Sequence, residues 1–447
     1  MDEARPRPRG PSSARELIEA ATIAVATILV AKHFLLEPYK VPTPSMQPTV
    51  MGSAEAGVSD RLAVDKWTYR CRDPRRFEVV VFKGPFDRST SYVKRIVGLP
   101  GEWIRIHDGD LWTRASDRES WQILRKPRAV QEALWRELAP VDGVADWEIA
   151  SGDGQVAANG SVALEAGATA EFRRSAPFVL DGLLDGYPEA IRARLSPVHP
   201  RAGHSEVRDL RLEATLRLSP QGTARIEFRT GDEQLSFSIG AGSARIGAQA
   251  PIELAAGPRE LSVAVQRVDD RLELYVGDSL LQDLDLPPTD LTHTSIAIAA
   301  LDGPVEFIAP RVFRDVYYTD AWAKVAETFV PVGHYFMLGD NSHESSDSRD
   351  WTLWRYEFTD ATGATRELRA HYRGAEHPRS LVGETDEPRI WLRDEWGEPH
   401  LFPQSSASVL SPIEAPFVPR ELVLGRALAV FWPLDPLHGI WRFKWVH

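Results

Sequence analysis

Leu210, Leu212, Ala214, Leu216 and Leu218 alternate with Arg211, Glu213, Thr215 and Arg217. A period of two marks an extended strand with one face in a core and the other in water, and it excludes a helix through this stretch. The pattern recurs. Arg225 to Arg229 and Leu235 to Ile239 flank Gly231-Asp232, and Leu261 to Val268 and Arg271 to Val276 flank Asp269-Asp270; both dipeptides suit tight hairpin turns. Ser295 to Ala300 and Val312 to Tyr318 supply further strands. Short strands at this spacing predict an all-β, jelly-roll-like sandwich within residues 113–312. In that stretch only residues 129–138 (AVQEALWREL) read as a short helix.

The whole chain has 447 residues, too many for one domain of roughly 100–200 residues. Lys plus Arg is 52 and Asp plus Glu is 64, a net charge of −12, which argues against a nucleic-acid partner. Hydrophobic residues at 43% and charged residues at 26% exclude wholesale disorder. A mean hydropathy of −0.28 excludes a polytopic membrane protein. The single cysteine, Cys71, excludes an intrachain disulfide and any multi-cysteine metal site. The twelve histidines have no metal-ligand spacing, so no metal or cofactor is expected.

The N-terminus carries a second constraint. Residues 1–15 are rich in Pro and Arg and read as a disordered tail. Leu17 to Leu36 is apolar, interrupted by Glu19, Lys32 and His33. A twenty-residue helix is about 30 Å long, the thickness of a bilayer core. Arg5, Arg7, Arg9 and Arg15 precede it and favour a cytoplasmic N-terminus. The expectation is a transmembrane anchor over 16–36, with all later residues outside the cytoplasm.

Three segments hold candidate chemistry. Tyr39 to Thr49 (YKVPTPSMQPT) is held extended by three prolines and displays Ser45, which from this segment alone reads as an ordinary loop serine. In Ser91 to Glu102 (SYVKRIVGLPGE), Tyr92, Lys94 and Ile96 share one strand face, and Val93, Arg95 and Val97 share the other. One cation of the pair Lys94/Arg95 therefore points inward. Lysine loses its proton on desolvation far more readily than arginine, so Lys94 is a candidate general base. Tyr335 to Trp351 runs from an apolar strand into a loop dense in Ser, Asp and Asn. Asp340, Ser342 and Glu344 are alternate oxygen donors, but Ser345 stands where a calcium loop needs glycine.

Taken together these segments resemble the bacterial type I signal peptidases, Ser/Lys-dyad membrane proteases of the S26 family. The resemblance rests on PSMQPT at 44–49, RLAVDKW at 61–67, VVVFKGP at 79–85, YVKRIVGLPGE at 92–102, GDNSHESSDSR at 339–349 and VPRELVLGRALAVFWP at 418–433. It implies Ser45 as nucleophile, Lys94 as its base, and an oxyanion site formed by the Thr43 hydroxyl and the Ser45 amide. It further implies that Ser345 positions the lysine, that Asp347 and Arg349 form a structural ion pair, and that Asp340 and Asn341 shape the same loop. Met46, Pro48 and Tyr92 are the candidate substrate-binding positions. Pro44 and Ser342 depart from the family, which often has glycine before the serine and arginine after the GDN.

The expected fold is mainly β, with an N-terminal transmembrane helix and a signal-peptidase-type core split by the sandwich. The expected division is a tail (1–15), an anchor (16–36), core pieces at 37–112, 313–351 and 416–447, the sandwich insertion (113–312) and a smaller insert (352–415). The expected function is removal of signal peptides from exported preproteins at the outer face of a bacterial inner membrane, with the lipid bilayer as second partner. The sandwich also resembles concanavalin-like lectin or glucanase jelly rolls, which leaves open a glycan or cell-wall ligand. Two alternatives stand beside this reading: a membrane-tethered lectin-like protein with a degenerate protease core, and a self-cleaving Ser/Lys protease.

Overall fold

The computed structural model describes residues 13–34, 36–53, 57–138, 146–172, 185–187, 191, 207–231, 233–254, 260–288, 294–320, 323, 326–360, 362–371, 379–382, 388–432 and 441–447. The tail expected at 1–15 lies almost wholly outside them.

The sheet that carries the candidate site is antiparallel throughout. Its strands run in the order Leu36–Lys40, Arg61–Asp65, Val423–Val430, Val79–Lys83, Ser91–Gly98, His334–Leu338 and Phe417–Pro419. Both faces are covered, and the period of two sorts the side chains between them. From Val79–Lys83, Val80 and Phe82 enter a cluster with Phe86, Tyr92, Ile96, Met337 and Trp351. Val79 and Val81 enter a different one, with Met46, Val50, Leu62 and Val64. This double cover corrects one expectation. Lys94 and Arg95 are both buried, 2% and 0% exposed, because neither face of their strand meets water.

The sandwich forms as its alternation demands. One sheet contains Leu210–Leu218 flanked by Glu260–Val268 and Val305–Arg314; the other contains Thr223–Thr230 flanked by Glu233–Gly240 and Thr294–Ala300. Leu210, Leu212, Ala214, Leu216 and Leu218 face Ala224, Ile226, Phe228, Phe237 and Ile298 in one apolar core. Asp269 and Asp270 take the left-handed backbone (φ 48° and 54°) that a two-residue hairpin turn requires. The helix expected at 129–138 stops earlier, spanning Arg128–Leu134. Arg136 and Glu137 pair instead with Arg314 and Phe313, so tertiary pairing overrides local propensity there.

Strands between Thr352 and Glu414 form two three-stranded sheets, around Thr352–Thr359 and Pro388–Arg393, with Tyr356, Leu392 and Phe402 in their own small core. At the other end Ser13–Phe34 is helical. Leu17, Ile18, Ile23 and Val25 on it are exposed. Among the described residues no helix is long and apolar enough to cross a membrane.

Candidate active site

Ser45 sits in a single 3-10 turn, Pro44–Met46. Pro44 suits the first position of such a turn, and it holds the preceding Thr43 extended (φ −117°, ψ 152°). Thr43 is exposed while Ser45 is buried, 8% exposed. The turn packs against the Ser91–Gly98 strand and against a second 3-10 turn, Ser342–Glu344. Asn341 ties the two turns together: its backbone N–H donates to the Ser45 carbonyl (3.1 Å) and its Nδ2 to the Pro44 carbonyl (3.1 Å).

Gly339 permits this convergence. A Cβ there would collide with the Ser345 hydroxyl and the Ser45 carbonyl at once. Ser345 and the Ser45 turn thus meet over a position with no room for a side chain.

Lys94 lies on the strand face of Tyr92 and Ile96, paired across the sheet with Val80. Its Nζ donates to Ser345 Oγ (2.9 Å), and Ser345 Oγ in turn donates to Asp347 Oδ2 (2.7 Å). Asp347 accepts two bonds from the Arg349 guanidinium, Nε to Oδ1 and Nη2 to Oδ2, both 2.7 Å, a longer one from the Arg349 amide (3.3 Å) and one from the Gly339 amide (3.0 Å). Burial alone would raise the Asp347 carboxyl; the Arg349 guanidinium outweighs it and holds the group below the usual carboxylate range. Arg349 also donates to the Thr319 carbonyl (2.6 Å) and to Ser342 Oγ (2.7 Å), and that hydroxyl accepts the Thr319 amide as well (2.9 Å). The departure at Ser342 therefore has a role in the loop.

A parallel assembly holds the opposite face. Arg95 makes a bidentate pair with Asp340, Nε to Oδ1 and Nη2 to Oδ2, both 2.7 Å. Asp340 also accepts from Thr49 Oγ1 (2.6 Å), which reaches back to the Ser45 loop. Burial works to raise the Asp340 carboxyl, and Arg95 and Thr49 together bring it below its ordinary value. Arg95 and Thr49 were not singled out from sequence. Arg95 stands next to a strong candidate, and only the two-sided cover of its strand reveals its use.

The remaining expected residues fall elsewhere. Met46 is fully buried in the cluster with Val41 and Val50, whereas Tyr92 packs in the other cluster against Phe82, Phe86 and Trp351. Pro48 is buried, and its carbonyl accepts from Arg442. These three do not share one surface. Cys71 is free and exposed.

Metal-binding geometry occurs at one place among the described residues. Carboxylate oxygens of Asp110, Asp209 and Asp269 lie within 4.8 Å of one another. Buried cations already reach them: Lys126 Nζ donates to Asp269 Oδ1 (3.1 Å), and Arg208 pairs with Asp110. The group reads as a buried ion network joining the sandwich to the sheet that pairs Trp103–His107 with Asp110–Arg114.

Comparison with known proteins finds similarity over the stretches that carry these residues. The family model for signal peptidase, peptidase S26, matches residues 14–141 and 307–364. The chain is 38% identical over 90 residues to a signal peptidase I of Pseudomonas fluorescens, covering 17% of this chain and 30% of that one. It is 32% identical over 118 residues to a probable signal peptidase I-2 of Synechocystis, covering 25% and 51%. It is 40% identical over 87 residues to a signal peptidase I of Mycobacterium tuberculosis, covering 20% and 29%. The chain therefore spans about half or less of the length of these relatives. The gap between the two matched stretches, 142–306, contains most of the sandwich strands. The chain is thus similar to signal peptidases of the peptidase S26 family over two stretches, with most of the β-sandwich strands lying between them.

Proposed function

We propose that this protein is a membrane-anchored serine endopeptidase that removes signal peptides from exported preproteins, with Ser45 as nucleophile and Lys94 as general base. The observation that carries the reading is the buried run from Lys94 to Ser345 to Asp347, packed against the turn that bears Ser45. A serine hydroxyl is a weak nucleophile and needs an adjacent base. Neutral Lys94 takes the Ser45 proton as Ser45 Oγ forms a bond to the scissile carbonyl carbon. The Ser45 amide and the Thr43 hydroxyl receive the oxyanion, each donor contributing about 3 kcal/mol to the transition state. The protonated lysine then gives its proton to the leaving amine as the C–N bond breaks. Water, deprotonated by the same lysine, hydrolyses the acyl-enzyme. Ser345, fixed by Asp347, keeps the amine aimed along one line.

Substrate binds as an extended strand, which suits cleavage sites with small side chains at alternate positions. Bilayer contact falls to two exposed apolar groups, the Ser13–Phe34 helix and the set Trp432, Trp441, Phe443 and Trp445. Aromatic residues favour the membrane–water interface. The catalytic part then lies on the outer side of a bacterial inner membrane. The reading is tested by incubating purified protein with a preprotein. Ser45→Ala and Lys94→Ala are each expected to lower the cleavage rate by about 10³-fold or more. Substantial activity in either variant would sink the dyad.

A further inference from the structure

The inserted sandwich does not hang from the catalytic core by its two connections alone. Arg136 lies on the short strand that pairs with the sandwich strand Val305–Arg314. Its buried guanidinium reaches out of the sandwich, and Nη2 donates both to the Gln47 carbonyl (3.2 Å) and to the Asp340 carbonyl. One terminal nitrogen thus bridges the loop that carries Ser45 and the loop that carries Ser345. Beside it, Tyr187 donates its hydroxyl to Gln47 Oε1 (2.8 Å), while Gln47 Nε2 donates to the Gly52 carbonyl (2.7 Å).

The Asp185–Gly186 turn holds this pair in place. The Gly186 amide donates to the Glu137 carbonyl (2.9 Å), and Asp185 Oδ2 accepts from Arg314 Nε (2.7 Å). Gly186 has φ 72°, and a Cβ on it would press at 3.3 Å on both Arg136 and Pro48. The sandwich-borne residues therefore touch the Ser45 loop at Gln47 through its backbone and its side chain, and at Pro48 by packing. Burial and the nearby Arg314 bring the Arg136 guanidinium down to about 10, so it remains charged at neutral pH.

A loop of three prolines has few backbone N–H groups with which to hold itself. Within residues 44–51 the internal backbone bonds are Gln47 N–H to Pro44 O and Val50 N–H to Met46 O, both 2.9 Å. The carbonyls of Gln47, Pro48 and Thr49 are capped from outside, by Arg136 and Arg442. Arg136 is the cap that also engages the Ser345 loop.

We infer that Arg136 and Tyr187 are positioning residues for Ser45, so that the sandwich is a working part of the catalytic apparatus. This rests on the proteolytic reading for its catalytic consequence and on geometry for the loop itself. A charge-assisted bond to a backbone carbonyl is short and directional, and displacement of a nucleophile by about 1 Å costs on the order of 10²-fold in rate.

The test compares the full-length protein with Tyr187→Phe, which removes one hydroxyl, and Arg136→Met, which removes the charge and keeps an apolar stem. Hydrogen–deuterium exchange and peptide cleavage are both measured. Exchange in residues 44–52 is expected to quicken in both variants, while Leu210–Leu218 and Thr223–Thr230 stay as protected as in the parent. kcat is expected to fall by about tenfold or more in Arg136→Met and about threefold in Tyr187→Phe, with KM within about twofold. Arg136→Lys, which keeps the charge, is expected to recover part of kcat.

Unchanged exchange in 44–52 overturns the inference, and so does a loss of kcat accompanied by lost protection throughout the sandwich. A parent protein that cleaves no peptide would remove the proteolytic reading, and the exchange result would still decide whether the sandwich holds the loop.

Discussion

Asp347 concentrates three tasks in one carboxylate: it pairs with Arg349, accepts from Ser345 and accepts from the Gly339 amide. Both members of the ion pair are at most 4% exposed. Breaking a buried pair by removing one partner costs about 3–5 kcal/mol, because the other charge is left uncompensated. Asp347→Asn is therefore expected to lower unfolding stability by that amount in urea titration, and to lower kcat by freeing Ser345. The pH dependence follows from the direction of the shift. The Asp347 carboxyl lies below its ordinary value when folded, so its contribution is complete above about pH 4 and is lost as pH falls further. Below that range the parent and Asp347→Asn curves should converge; a constant gap between them down to pH 2 would contradict the assignment. Neighbouring Arg95 shows why a cation of the other type serves there. Its planar fork meets both oxygens of Asp340, a bidentate geometry that an ammonium cannot reproduce.

Two turns and a glycine make the site from elements that are distant in the chain. Gly339 lies between a strand and the loop that returns over it, with Ser345 and the Ser45 carbonyl in the space a side chain would need. Gly339→Ala should force the two turns apart, lowering kcat by about 10²-fold with a stability loss of about 1–3 kcal/mol. Cleavage and thermal unfolding assays check both parts, and parent-like kcat would refute the crowding argument. Much of this was legible beforehand. Alternation from Leu210 to Leu218 dictated the sandwich, and desolvation chemistry singled out Lys94. Ser345 and Asp347 were legible only by resemblance, because 251 positions separate Lys94 from Ser345 and no periodicity spans such a gap. Arg95 was hidden because alternation assigns faces without saying that both will be covered. Arg136 was hidden in a segment whose local pattern reads as helix.

At the scale of the molecule, the sandwich meets the neighbouring four-stranded sheet at a polar seam. Asp110 from the sheet that pairs Trp103–His107 with Asp110–Arg114, Asp209 and Asp269 from the sandwich, and Lys126 and Arg208 between them are all buried at one junction. The helix Ser13–Phe34 stands apart, with its described side chains exposed. If helix and aromatic cluster share a bilayer, deleting residues 13–34 should weaken flotation with anionic lipid vesicles about tenfold or more. Trp441→Ser with Trp445→Ser in that background should abolish what remains. Flotation unchanged by both alterations would count against membrane contact. The strand order of the catalytic sheet has a consequence in time. Val423–Val430 lies between Arg61–Asp65 and Val79–Lys83, two strands that are otherwise close in sequence. Every strand of the sandwich precedes it in the chain. As the chain emerges from the ribosome the sandwich can close on itself early, while the sheet that holds Lys94 waits with an open slot for its last central strand. On the proteolytic reading proposed above, Lys94 has its completed sheet around it only once residues 423–430 have taken their central place.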